Sequence, residues 1–250
     1  MLKPSLEEVK QFAKQYNTIP VFYEFSADNQ TPLNIYTAFA KNSKNSFILE
    51  SVSNGVQWDR YSFIGFSPEK EIRMMGNTAE IRSGDAVQTE QVEEPIAFLK
   101  KMLAEYRAPS YPDAPHFTGG LIGYFGYDTV RYVEKRLTNV PEDDIHMPDC
   151  HLFLYEELIA YDHLTSNGIV ILNLHTDGDL GAQYAAAQWR AEELAHIVRN
   201  YHCQPQETHH KGEAMVHSNL TKEQYSKMVQ DAKEYIRNGD IFQIVLSQRF

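Results

Sequence analysis

Two stretches carry residue types that can bind a charged small molecule. Glu50-Ser51 closes an apolar run and is followed, past a turn, by Arg60-Tyr61-Ser62. A carboxylate, a hydroxyl and a guanidinium near one another suit a small zwitterion, whose ammonium needs acceptors and whose carboxylate needs donors. The plainer reading is a strand end and a surface arginine, both facing water. The second stretch is Ile241-Phe242-Gln243-Ile244-Val245. If Ile241, Gln243 and Val245 share one strand face, a neutral amide sits among apolar side chains. Leaving it buried and unpaired costs roughly 1–3 kcal/mol, so Gln243 either faces solvent or meets a polar group.

Three other clusters invite a chemical reading that their spacing does not support. Gly119-Gly120-Leu121-Ile122-Gly123 is glycine-rich, but it has neither the GxGxxG of a dinucleotide fold nor the GK[ST] ending of a phosphate loop. Glycines in an aromatic-rich strand instead permit close backbone packing or a bulge. His202, Cys203, His209, His210 and His217 match no zinc spacing and read as part of a solvated linker. Asp128 and Arg131, three apart, suit a surface ion pair of about 0.2–0.5 kcal/mol.

The elements that position these residues follow from periodicity and capping. Ser5-Leu6-Glu7-Glu8 forms a capping box ahead of a stripe at Leu6, Val9, Ala13 and Tyr16. Ile19 to Phe25 reads as a strand, and Thr31-Pro32 opens a second helix with proline where its missing N–H costs nothing. From Ser46 to Ser83 short strands are expected at Phe47–Val52, Arg60–Phe66, Glu71–Met75 and Thr78–Arg82. Turns at Ser53-Asn54-Gly55 and Gly76-Asn77 would join them into an antiparallel meander. Pro95 starts a helix bearing Ile96, Leu99, Leu103 and Tyr106 on one face. Strands are expected at His151–Tyr161 and Gly168–His175, then a long helix through Tyr184, Ala187, Ala191, Leu194 and Val198. Tyr201 to His217 is polar and reads as the linker. Thr221-Lys222-Glu223-Gln224 is a second capping box. Its helix ends at Gly239, and a last strand begins near Ile241.

Bulk properties narrow the function class. The chain has 250 residues, 42% hydrophobic and 23% charged, enough to build a core without disulfides or a structural metal. A formal net charge of −11 argues against a nucleic-acid partner. Two cysteines, Cys150 and Cys203, make no disulfide framework, and a reducing, cytoplasmic compartment is the expectation. Met1 to Tyr16 has no apolar core of a signal peptide, and no stretch approaches the ~20 apolar residues of a membrane helix.

Three stretches, in order along the whole chain, resemble one family. They are Glu50-Ser51-Val52 with Arg60-Tyr61-Ser62-Phe63-Ile64-Gly65; then Phe117-Thr118-Gly119-Gly120 through Gly123-Tyr124, Gly126-Tyr127-Asp128 and Val130-Arg131-Tyr132; and finally Gly239-Asp240-Ile241-Phe242-Gln243-Ile244-Val245-Leu246-Ser247-Gln248-Arg249-Phe250. The family is anthranilate synthase component I, and the chain resembles its N-terminal half. The resemblance implies an α+β fold (α/β in the broad sense) of antiparallel sheets packed with helices. It divides the chain into an N-terminal region at 1–203, a linker at 204–217 and the incomplete opening of a chorismate-binding domain at 218–250.

The same resemblance implies an activity: chorismate and ammonia become anthranilate and pyruvate with Mg²⁺, as the first step of tryptophan biosynthesis. Ammonia would come from a glutamine amidotransferase partner, component II, and tryptophan would inhibit through a separate pocket. Ser51 and Glu50 match that pocket's motif, with Arg60 a weaker match. Gln243 falls where water-adding relatives carry a lysine. A lysine there acts as general base, which a glutamine cannot do, in keeping with ammonia as the nucleophile. The family's Mg²⁺ and chorismate ligands lie downstream of the aligned half, so this chain alone is expected to be inactive. The large subunit of aminodeoxychorismate synthase and a non-catalytic tryptophan-binding module are the alternative readings.

Overall fold

Local chemistry sets the helix ends seen in the computed structural model, which describes residues 1–50, 60–140, 142–143, 145–203 and 215–250. Helix α1 (Leu6–Phe12) begins at Ser5, whose amide donates to Glu8 Oε2 at 2.8 Å. Helix α2 (Pro32–Ala40) is capped by Thr31, whose hydroxyl accepts from the Asn34 amide at 3.2 Å. Helix α3 (Pro95–Ala104) also starts on proline. A four-residue α4 (Val130–Val133) is followed much later by the long α5 (Leu180–Asn200), where one Asp179 carboxylate oxygen accepts from the amides of Gly181 and Ala182. Satisfying these free amides is worth about 1 kcal/mol per cap.

Among the described residues, ten strands form two five-stranded antiparallel sheets. They are β1 (Thr18–Ser26), β2 (Ser46–Leu49), β3 (Tyr61–Phe66), β4 (Lys70–Met75), β5 (Thr78–Ser83), β6 (Ala86–Gln91), β7 (Gly120–Phe125), β8 (Cys150–Tyr155), β9 (Glu157–Asp162) and β10 (Asn167–His175). The first sheet has the order β1-β10-β9-β3-β2 and the second β6-β5-β4-β8-β7. The expected α+β fold of antiparallel sheets packed with helices is what the structure shows.

One face of the first sheet, with Ile19, Val21, Ile64, Ile159 and Val170, is covered by α1, α2 and α5. Fully burying side chains of this size contributes about 1.5–3 kcal/mol each. Arg190 ties α5 to β9, its Nε and Nη2 donating to the two Glu157 oxygens at 2.8 and 2.7 Å. The second sheet buries Ile72, Met74, Ala79 and Leu152 against Leu99 of α3. A third, aromatic-rich cluster joins the sheets, combining Phe63, Leu158, Ala160 and Ile171 with Tyr155 and Phe153.

Four sequence expectations need correction. The stretch from Ser46 to Ser83 is not one meander, because β3 pairs with β2 and β9 while β4 pairs with β5 and β8. Ser62 to Phe66 are all buried, so β3 requires neighbours on both edges and both faces and takes a central place. His151–Tyr161 is not one strand either: Glu156 interrupts it, and β8 and β9 belong to different sheets. Strand β6 was not anticipated, since its one large apolar residue is Val87 and its side chains are mostly exposed.

The fourth concerns residues 241–250, which form no strand among the described residues. A strand exists only through a neighbour that accepts and donates along its length. Here the segment instead ties back near Asn219, where Arg249 N donates to Asn219 Oδ1 at 2.9 Å, Asn219 N to Arg249 O at 3.1 Å and Gln248 Nε2 to Ser218 Oγ at 2.6 Å.

The chain divides into two compact units, Met1–Cys203 and Gln204–Phe250. Within the second, α6 (Lys222–Asn238) carries the expected capping box. Gln224 N donates to Thr221 Oγ1 at 3.2 Å, and Thr221 N to Gln224 Oε1 at 2.8 Å. Gly239 ends it at φ 82°, the left-handed turn that glycine adopts without a Cβ penalty. Among the described residues no helix is long and apolar enough to cross a membrane.

Candidate functional site

The β2–β3 pair of the first sheet carries Glu50 and Arg60 at one end. Leu49 lies opposite Phe63, so Glu50 directly follows the last paired residue of β2 and Arg60 directly precedes β3, three positions before Phe63. Ser51 lies outside the described residues. Glu50 is exposed.

Arg60 is held in place by Asp162. Its Nε donates to Asp162 Oδ1 at 3.0 Å and its Nη2 to Oδ2 at 2.6 Å, the two-pronged geometry that suits a planar guanidinium. Asp162 is almost fully buried, while 42% of the Arg60 side chain stays exposed. The guanidinium also lies 5.0 Å from the centre of the Tyr61 ring. The Asp162 hydrogen bond raises the Arg60 pKa above its ordinary value. Burial pushes the Asp162 carboxyl upward, but Arg60 and the Leu164 amide outweigh it and hold it below the usual carboxylate range.

Two of the five guanidinium N–H groups are spent on Asp162, and the exposed remainder can still meet a carboxylate. Arg60 is therefore an oriented donor. Sequence reasoning missed Asp162, because the pair spans 102 residues and is closed only by the pairing of β3 with β9.

A serine and a histidine stand next to this pair. Ser62 Oγ is 2.8 Å from His163 Nε2. Ser62 is wholly buried, and the neighbouring Asp162 is engaged with Arg60. The group therefore lacks the accessible hydroxyl and the carboxylate-oriented imidazole that nucleophilic catalysis needs. It secures the end of β3 to β9.

The glycine-rich strand is a packing device, as its composition suggests. A Cβ on Gly123 would stand 2.0 Å from His151 O, so β7 can lie against β8 only with glycine there. Asp128 and Arg131 do pair, at 2.7 Å, and Arg131 Nη1 reaches Leu137 O at 2.7 Å, which folds the turn after β7. Nearby, Asp149 Oδ2 accepts from Tyr132 Oη at 2.8 Å and from Gly76 N at 2.7 Å.

Gln243 is exposed and belongs to the second unit, whereas Glu50 and Arg60 belong to the first. His209 and His210 of the expected linker lie outside the described residues. Among the described residues no three His, Cys, Asp or Glu side chains converge on a point that could hold a metal ion. Those residues therefore do not fit Mg²⁺, and none is assigned to it. Cys150 is buried, which pushes its thiol up to about 11.

Residues 75–250 match the family described as chorismate binding enzyme. The chain belongs to that family. The match begins at the end of β4 and includes the glycine-rich strand, α6 and the Gln243 segment. It excludes Glu50 and Arg60.

Anthranilate synthase component 1 of Acetivibrio thermocellus is 39% identical over 255 residues, covering 100% of this chain and 51% of its own length. The protein of the same name from Pseudomonas aeruginosa is 37% identical, covering 97% of this chain and 50% of its own. Among solved structures, anthranilate synthase component I from Streptococcus pneumoniae TIGR4 is 26% identical with a TM-score of 0.56, covering 80% of this chain and 43% of that one. The chain spans about half the length of the curated relatives it matches.

Proposed function

We propose that this chain is the N-terminal half of an anthranilate synthase component 1. In the whole protein, chorismate and ammonia would give anthranilate and pyruvate at the start of tryptophan biosynthesis, in the cytoplasm. The observation that carries the reading is the match to proteins of that name along 94–100% of the chain in four relatives, at 34–39% identity. Ammonia would arrive from a glutamine amidotransferase partner, and Mg²⁺ would be held by groups other than the described residues.

Two residues take roles under this reading. Gln243 contributes a neutral amide that can orient a ligand by hydrogen bonding but cannot take up a proton at neutral pH. Ammonia already carries a lone pair and needs no deprotonation before it attacks, so no general base is required at that position. Ser51 and Glu50 would meet the ammonium of inhibitory tryptophan, with the oriented Arg60 guanidinium a further donor for its carboxylate.

The test uses the full-length protein and this chain side by side. The full-length protein is expected to form fluorescent anthranilate from chorismate, ammonium and Mg²⁺, and the 250-residue chain to form none. Full-length Ser51→Ala is expected to lose tryptophan inhibition while keeping its uninhibited rate. Turnover by the purified 250-residue chain would overturn the assignment of the missing groups to the rest of the protein. Unchanged inhibition in Ser51→Ala would remove Ser51 from the tryptophan site.

A further inference from the structure

Among the described residues of Met1–Cys203 the chain passes between the two sheets twice: through Ser67–Glu69 between β3 and β4, and through Glu156 between β8 and β9. Beside the first passage, Glu69 N donates to Leu154 O of β8 at 2.8 Å. The last residues of β10 lie against the second. Asn173 Nδ2 donates to Glu156 O at 2.9 Å and to Thr118 O at 2.8 Å. Two residues on, with its side chain on the same face of the strand, His175 Nε2 is 2.8 Å from Glu156 Oε2. Gly119 completes the closure: a Cβ there would stand 2.9 Å from both Asn173 Nδ2 and Tyr155 O. A cavity of about 140 Å³ lies inside this junction, bordered by Thr18, Tyr106, Gly119, Glu156 and Asn173.

We propose that His175 and Glu156 form a pH-sensitive clasp that sets how firmly the two sheets are held where the chain crosses between them. Asn173 gives the crossing its fixed geometry, and the imidazole gives it a charge that can be removed. Charged groups face His175 from each element around it. Glu156 comes from the β8–β9 passage, Glu69 from the passage before β4, and Asp177 from the turn after β10. Tyr106, after α3, presents its ring 6.2 Å from the imidazole and accepts a hydrogen bond from Lys70 Nζ at 3.2 Å. The acidic groups dominate. The Glu156 hydrogen bond, against partial burial, holds the imidazole pKa above its ordinary 6.5.

A histidine with a raised folded pKa contributes its full stabilisation below the unfolded value and loses it as pH rises through the folded one. The clasp is therefore closed below the ordinary imidazole value and slackens as pH rises through the raised one. Among the described residues of the first unit, no other imidazole that faces a carboxylate stands at a passage between sheets: His151, paired with Glu71 at 2.7 Å, lies within the second sheet.

The experiment follows the His175 ring by NMR and backbone amide exchange in this chain, comparing wild type, His175→Gln and Glu156→Gln. In wild type, His175 is expected to titrate above 6.5. The amides of Glu156–Leu158 and Glu69, corrected for the intrinsic pH effect, are expected to exchange about threefold faster at pH 8.5 than at pH 6, the size for a partly exposed ion pair. In Glu156→Gln the His175 titration falls back toward its ordinary value, and both variants lose the pH-dependent part of the protection. An unchanged His175 titration in Glu156→Gln overturns the proposal. So does a protection profile in either variant with the wild-type pH dependence. If His175→Gln does not fold, Glu156→Gln carries both readouts.

Discussion

Removing Arg60 exposes how much of the β3–β9 seam depends on one ion pair. Arg60→Ala deletes two hydrogen bonds to a carboxylate that is 3% exposed, while Asp162 keeps its bond from the Leu164 amide. Hydrogen bonds to a buried charge are worth about 1.5–3 kcal/mol. Because Arg60 itself is 42% exposed, solvent screening reduces the expected loss to about 1–2 kcal/mol. For a unit of this size that is a fall in Tm of about 2–8 °C.

The assay is a double-mutant cycle at pH 7 with Arg60→Ala, Asp162→Asn and the pair, read by thermal and urea unfolding. A coupling of about 1–2 kcal/mol is expected. The pH dependence supplies an independent check. Asp162 titrates below the usual carboxylate range in the folded chain, so its contribution is present above that range and is lost as pH falls through its lowered value. The gap between wild type and Arg60→Ala therefore closes in acid. A coupling below about 0.3 kcal/mol, or a gap that persists unchanged into acid, would refute this account of the seam.

Two further outcomes test the packing. Gly123→Ala places a methyl 2.0 Å from a backbone oxygen that cannot yield. It should cost about 1–3 kcal/mol or more, read as a lower urea midpoint, and a wild-type midpoint would contradict the close approach of β7 and β8. Cys150 is buried with its thiol pushed up to about 11, so it should resist a thiol reagent at pH 8 until the chain is unfolded. Rapid loss of both thiols from the native protein would contradict that burial.

Helix boundaries were legible because they rest on local chemistry. Ser5, Thr31, Pro95, Thr221 and Gly239 each act within four residues of their own position, and each ends a helix as expected. Most strands were legible for the same reason, but not their partners. The run from His151 to Tyr161 is nearly continuous in apolar and aromatic residues, and only Glu156-Glu157 marks the passage between sheets. Strand β6 is polar enough to be hidden, since an edge strand needs few apolar side chains. Asp162 and Asn173 carried no signal at all, because their partners are set by register and not by neighbouring sequence. The Gln243 segment shows the converse. It has the composition of a strand, yet composition cannot supply the neighbour a strand requires.

The central claim concerns which chorismate chemistry the whole protein performs, and product stoichiometry tests it most directly. Full-length protein supplied with chorismate, ammonium and Mg²⁺ should release anthranilate and pyruvate in equal amounts. An aminated product that keeps its enolpyruvyl group, with no pyruvate released, would assign the protein to aminodeoxychorismate formation and contradict the account, as would the absence of any turnover.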